Sequence, residues 1–127
     1  MKYMLLIHNR LGFVEELTED ERTALFGEVD AIMKELAESG EWVGGEALVD
    51  PSETRTVRAA GTAGTAGAPP VVTDGPYLEA KEHLAGYLTV DCETLERAVE
   101  IASRWPDLRF GGYMEVRAVM GESGTEM

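Results

Sequence analysis

Residues 71–87 read VVTDGPYLEAKEHLAGY. Two strand-like runs, Val71-Val72 and Leu84–Val90, flank a turn crowded with titratable groups. Asp-Gly-Pro has a mechanism as a turn: Asp caps the amides that follow, Gly tolerates positive φ, and Pro fixes the next φ. None of this needs Glu79, Lys81, Glu82 or His83. With Pro76 to Ala80 as the loop of a hairpin, Asp74 lies across from Glu82, and His83 falls within diagonal reach of Asp74. A histidine beside a carboxylate is oriented for proton transfer.

Outward from that stretch, strand and helix signals alternate in a way that sets the fold class. Lys2 to His8 is short and apolar nearly throughout, which suits a central strand. Arg10 to Leu17 reads as a loop. Thr18-Glu19-Asp20-Glu21 has the Thr-x-x-Glu form of a capping box, and acids in a first turn favour the helix dipole. Leu25, Val29, Ile32, Met33 and Leu36 then recur at helical spacing up to a stop at Gly40, so a helix is predicted over 18–39. Met33 and Phe26 on this helix read as core filler.

Trp42 to Val49 reads as a strand, with Gly44-Gly45 marking a bulge or a close backbone approach. Asp50-Pro51-Ser52 is a turn, and Thr54 to Ala59 alternates as a further strand. Gly61 to Ala68 is a near-repeat of small residues, read as a flexible hairpin tip. Pro69 to Thr73 and His83 to Val90 are the next strands. Asp91 caps a second predicted helix with Leu95, Ala98, Val99, Ala102 and Trp105 buried, stopped by Pro106. Tyr113 to Met120 alternates strictly, with Met114, Val116, Ala118 and Met120 facing inward.

Strand, helix, hairpin strands, helix, strand is the order of an α+β ferredoxin-like sandwich, an antiparallel sheet with two helices on one face. Residues 1–120 form one domain in this reading, and 121–127 a flexible C-terminal tail. The second sheet face is left bare and apolar, so a homodimer closing over it is expected.

The 127 residues can bury a core without disulfides or metal. A single cysteine, Cys92, allows no internal disulfide framework or cysteine-based zinc cluster and points to a reducing cytoplasmic compartment. At a helix start its pKa would fall, but without a resolving Cys or a base it reads as an inert thiol. The apolar run in MKYMLLIHNR is too short for a signal peptide or a membrane span. With 24 acids against 11 bases, a net charge of −13, no basic cluster offers itself to nucleic acid or to anionic membranes. No HxH or HExxH spacing marks a metal site, no phosphate loop follows Gly61, Gly64 or Gly67, and no serine sits in a nucleophile elbow, so no cofactor is expected.

The antiparallel neighbour of strand 1 begins near His83, which brings His8 toward the same rim of the sheet. Asp74, His83 and His8 are therefore the candidate acid–base residues, with a plain packing role at strand ends as the alternative for both histidines. Lys81, Glu79 and Glu82, with Tyr77, form a candidate patch for a small anionic or phenolic ligand.

At VTDGPYLEAKEHLAGY the chain resembles the DGPF-type proteins of the YCII-related family, and the likeness extends through MKYMLLI, WVGGEAL and YMEVRAVM. It implies a dimeric α+β barrel of ferredoxin-like units and marks Asp74, Gly75, Pro76, Glu79, Lys81 and Glu82 as motif positions without roles. Smaller members imply a His–Asp pair with the histidine on the first helix, whereas 18–39 contains none here. The residues themselves favour a small-molecule pocket at the DGPY motif with cofactor-free acid–base chemistry of lyase or isomerase type, Asp74 and His83 as the pair; the resemblance implies the alternative, a non-catalytic ligand-binding or regulatory module associated with an extracytoplasmic-function sigma factor.

Overall fold

The computed structural model describes residues 1–60, 67–75 and 82–121. Its elements are β1 (Lys2–Arg10), α1 (Phe13–Glu16), α2 (Glu19–Ser39), β2 (Trp42–Ala47), β3 (Arg55–Arg58), β4 (Val71–Asp74), β5 (Glu82–Asp91), α3 (Leu95–Ser103) and β6 (Tyr113–Ala118). Two 3-10 turns, Pro51–Glu53 and Pro106–Phe110, precede β3 and β6. The main sheet has the order β2-β5-β1-β6 with antiparallel pairing throughout, and β3 and β4 form a separate two-stranded ribbon. This is the ferredoxin-like α+β arrangement expected from the element order.

Helix α2 starts where the capping box places it. Thr18 Oγ1 accepts from the Glu21 amide at 3.1 Å, and Glu21 Oε1 accepts from the Thr18 amide at 2.9 Å. Gly40 ends it at φ 81°, a left-handed cap that costs a residue without Cβ nothing. Ile32 and Leu36 of α2 and Ala98, Ile101 and Ala102 of α3 close over Tyr3, Leu5, Leu88 and Val90 of the central strands, so both helices cover one sheet face. A smaller cluster, Phe13, Leu17 and Leu25, sits under the start of α2.

The glycines of β2 satisfy both halves of the sequence reading. Register shifts between Trp42 and Gly44, and a Cβ on Gly45 would stand 2.7 Å from the Tyr87 carbonyl oxygen. A second shift, between Ile7 and His8, leaves Ala85 unopposed on β5, so His8 pairs with Leu84 and Asn9 with His83.

Five local expectations are corrected. The segment after Arg10 contains the short helix α1 rather than loop alone. Strand β4 pairs with β3, Asp74 facing Arg55, so the hairpin that set Asp74 against Glu82 is not formed; Glu82 faces Arg10. Thr94, not Asp91, caps α3, because Asp91 still pairs with Lys2 in the sheet. On α3, Ala98, Ile101 and Ala102 are buried whereas Leu95 and Val99 are exposed. Met114, Val116 and Ala118 do pack on the core, but Met120 lies past the strand and is exposed. The expected flexible tip falls largely, and the expected tail almost wholly, outside the described residues.

Candidate functional site

A cavity of ≈ 500 Å³ opens on the helix-covered side of the sheet, between α1, α2, the end of β2 and the start of β5. That size is in the roughly 300–1,000 Å³ range of small-molecule sites, and the wall has their usual character, apolar with few polar groups. Phe13, Leu25, Phe26, Val29, Met33, Trp42 and Trp105 supply much of the apolar surface. Phe26 and Met33, expected as core filler, are exposed or nearly so and line this space instead.

Polar side chains enter from several elements, Glu15 of α1 and Glu46 of β2 among them. His83, at the start of β5, stands opposite Asn9 near the end of β1, so the two share the helix side of the sheet. The His83 Nδ1 is enclosed and has no hydrogen-bond partner among the described residues. Asn9, 4% exposed, donates from Nδ2 to Asp107 Oδ2 at 2.9 Å, and Asp107 is itself 7% exposed. Asp107 is held there by the 3-10 turn Pro106–Phe110, which Gly111 ends at φ 88°, and its carbonyl accepts from the Gly112 amide at 3.2 Å. Position 112 must be glycine for this to close, since a Cβ would come within 2.4 Å of Asn9 Oδ1. His83, Asn9 and Asp107 therefore form a row along one cavity wall.

Burial pushes the Asp107 carboxyl above the usual carboxylate range, against a smaller lowering by the Asn9 hydrogen bond. Asp50, in the loop after β2, is driven the other way. Its Oδ1 accepts from the Ser52 amide at 2.9 Å, and hydrogen bonding to Ser52 holds its carboxyl below the usual range, with a smaller contribution from the positive charge His83 can carry. Asp50 also lines the cavity. One space thus holds a carboxyl pushed toward neutrality, a carboxylate pushed toward ionisation, and an imidazole. Pairs of acids driven apart in this way are the usual equipment of proton-transfer sites.

The residues singled out from the sequence are distributed differently. His83 is on the cavity wall. His8 faces the opposite side of the sheet, one residue from Asn9 in an alternating strand. It stacks on Tyr113, with ring centroids 4.6 Å apart and planes 9° apart, and its Nε2 lies 2.5 Å from Glu115 Oε1 without the alignment of a hydrogen bond. Asp74 has a side chain 87% exposed, pairs with Arg55 at 3.2 Å, and is not among the residues lining the cavity. Glu82 is exposed opposite Arg10. Tyr77, Glu79 and Lys81 lie outside the described residues. Cys92 is buried, and burial raises its thiol pKa instead of activating it.

Asn9, Asp50 and Asp107 were not singled out by sequence reasoning. Asp50 and Asp107 each adjoin a proline, so each reads as punctuation between elements, and the Asn9–Asp107 bond joins positions 98 residues apart. No pattern along the chain signals such a contact. Among the described residues no group of three or more His, Cys, Asp and Glu is arranged to hold a metal ion, and no helix is long and apolar enough to cross a membrane.

Comparison with known families places these observations on a relative scale. The family model described as YCII-related domain matches residues 1–122. An uncharacterised protein of Rhizobium meliloti (strain 1021) is 28% identical over 102 residues, covering 80% of this chain and 77% of its own length.

Proposed function

The chain belongs to the YCII-related domain family, and from that premise we propose that it binds a small molecule in the cavity beside His83 and moves a proton on it without a cofactor. The observation that carries this reading is the His83 imidazole on an otherwise largely apolar wall, one of its nitrogens enclosed and unpartnered among the described residues. An imidazole that borders a ligand's space is the side chain most often used to accept a proton from it. Asp50 is near enough to favour the imidazolium that results, and ordinary anion–cation attraction would hold that state during transfer. Isomerisation or elimination adjacent to an activating group is the reaction class that this equipment serves.

The same reading takes the protein as a homodimer through the open sheet face and as cytoplasmic, the latter supported by its single, unpaired cysteine.

The test is twofold. Phenolic, carboxylate and carbonyl compounds are screened for thermal stabilisation, and bound compounds are then followed by NMR in D2O for exchange at carbon. For a compound that exchanges, His83→Gln is expected to lower the exchange rate by about 10²–10⁴-fold while the variant stays folded and still binds. Unchanged exchange in His83→Gln makes the imidazole a bystander and sinks the catalytic reading.

A further inference from the structure

The cavity contains a second functional group that acid–base chemistry at His83 does not by itself require. We propose that the Asp107 carboxyl, seated on Asn9, donates a hydrogen bond to the carbonyl oxygen of a neutral, largely apolar ligand held in this cavity. The inference rests on the reading of the cavity as the ligand site and names the class of ligand it takes.

Three observations converge on it. First, Asp107 is almost entirely enclosed, and the one side chain among the described residues that hydrogen-bonds its carboxyl is a neutral amide, Asn9, at 2.9 Å. No ion pair with Asp107 is present among the described residues, whereas buried carboxylates are ordinarily paired. A carboxyl in that setting holds its proton to a higher pH than a solvated one, the direction in which burial shifts its titration. With Oδ2 accepting from Asn9, a proton on the other oxygen is available to a ligand. Second, the wall selects against anions. Glu15, Glu46, Asp50 and Asp107 line the cavity, and no Lys or Arg among the described residues does. A carboxylate ligand would meet like charge from Glu15, Glu46 and Asp50, with the His83 imidazole as the one cationic group on the described wall to offset it. Third, the candidate base and the candidate donor both adjoin one residue, Asn9. His83 and Asp107 flank Asn9, one as its cross-strand neighbour and the other through its hydrogen bond.

The step that follows balances. The α C–H bond breaks as its proton passes to the His83 nitrogen. The Asp107 proton passes to the carbonyl oxygen, giving an enol, an imidazolium and a carboxylate. The imidazolium then gives its proton to the same or a conjugated carbon while the enol O–H returns its proton to the Asp107 carboxylate, which regenerates the protein and yields the exchanged or isomerised ketone. No oxidant or further reactant enters.

Both tryptophans of the chain, Trp42 and Trp105, line the cavity, so intrinsic fluorescence reads occupancy directly. Acetophenone, which can only accept a hydrogen bond through its carbonyl, and benzoate, its anionic counterpart of similar size, are titrated against the intact protein from acid to alkaline pH. Acetophenone is expected to bind about tenfold tighter than benzoate. Its affinity should fall as pH rises through the titration of Asp107, because an ionised carboxylate only accepts. Asp107→Asn keeps both contacts, the amide oxygen for Asn9 and the NH2 group for the ligand, so it should bind acetophenone with a profile flat in pH. Asp107→Ala should lose the binding.

Equal binding of benzoate, a pH-independent affinity in the wild-type protein, or undiminished affinity in a folded Asp107→Ala overturns the inference and leaves the role of His83 standing. Retained acetophenone preference in a His83→Gln variant that no longer exchanges carbon-bound protons supports both readings. Failure of the wild-type protein to bind acetophenone at all removes this inference, and failure of the wider compound screen removes the cavity reading with it.

Discussion

At the scale of the residue, Asp107 couples the site to the stability of the fold. Its carboxyl titrates above the usual range in the folded chain because burial penalises the charge. The sign follows from linkage: a group whose folded pKa is raised contributes fully below its unfolded pKa, and that contribution is lost as pH rises through the folded value. The wild-type protein should therefore lose stability over that window. Asp107→Asn, which has no proton to lose, should not. Thermal unfolding of the two proteins from pH 4 to 8 is expected to show curves that diverge as pH rises, with the Asn variant the more stable at the alkaline end. Parallel curves would mean that the carboxylate is solvated in the folded chain. Little of this was legible in Trp105-Pro106-Asp107-Leu108, which reads locally as the end of a helix. His83 was legible because it follows a strand-breaking turn. The acids that share its cavity were not, since Asp50 and Asp107 belong to loops whose positions are fixed by distant strands.

At the scale of the element, one ionic cluster ties the two helices to β2. Arg97 of α3 donates from Nε to Glu41 Oε2 at 2.9 Å and from Nη2 to Glu41 Oε1 at 2.7 Å, and Glu35 of α2 pairs with Arg104 at 2.7 Å. Glu41 sits just before β2 and accepts also from the Asp91 end of β5 through its backbone carbonyl, at 2.8 Å. The paired guanidinium holds the Glu41 carboxyl down at about 2. A depressed carboxylate contributes stability above its unfolded pKa and loses it as pH falls through the folded value. Glu41→Gln is accordingly expected to cost about 1–2 kcal/mol in urea unfolding at pH 7, since it keeps the shape and removes the charge-assisted pair. The difference should shrink steadily between pH 4.5 and about 2, where the wild-type side chain also becomes neutral. An undiminished difference at acid pH would assign the loss to packing. Elements themselves were well marked in the sequence, as Thr18-x-x-Glu21 and Gly40 bound α2 from local chemistry alone. Strand partnership was not. Val71–Asp74 carries the same turn signal whether it pairs forward with β5 or back with β3, and only the tertiary contacts choose β3.

At the scale of the whole molecule, the asymmetry of the sheet is the feature that invites a partner. One face is covered by α2 and α3, while the other presents Met4, Leu6, Tyr87 and Thr89, half-buried, beside the His8–Tyr113 stack. The nearly continuous apolar run from Lys2 to His8 made both faces legible as apolar, which is why a central strand and a bare face could be expected together. Identity of the covering partner is not written in that pattern; a second copy is the proposal, because a twofold axis through the strand centre would match this patch to itself. Leu6 stands at that centre, paired with Tyr87 on one side and Glu115 on the other. A lysine there would bring two like charges together at the axis and remove the apolar contact, with no effect on the helix-side core. Light scattering should give a mass twice the 13.8 kDa of the chain for the wild-type protein and a mass near 13.8 kDa for Leu6→Lys. If the wild-type protein runs at the monomer mass, this face serves another purpose. A dimer that survives Leu6→Lys must instead be built elsewhere, and the exposed Val57, Val71 and Val72 of the β3–β4 ribbon are then the surface to substitute next.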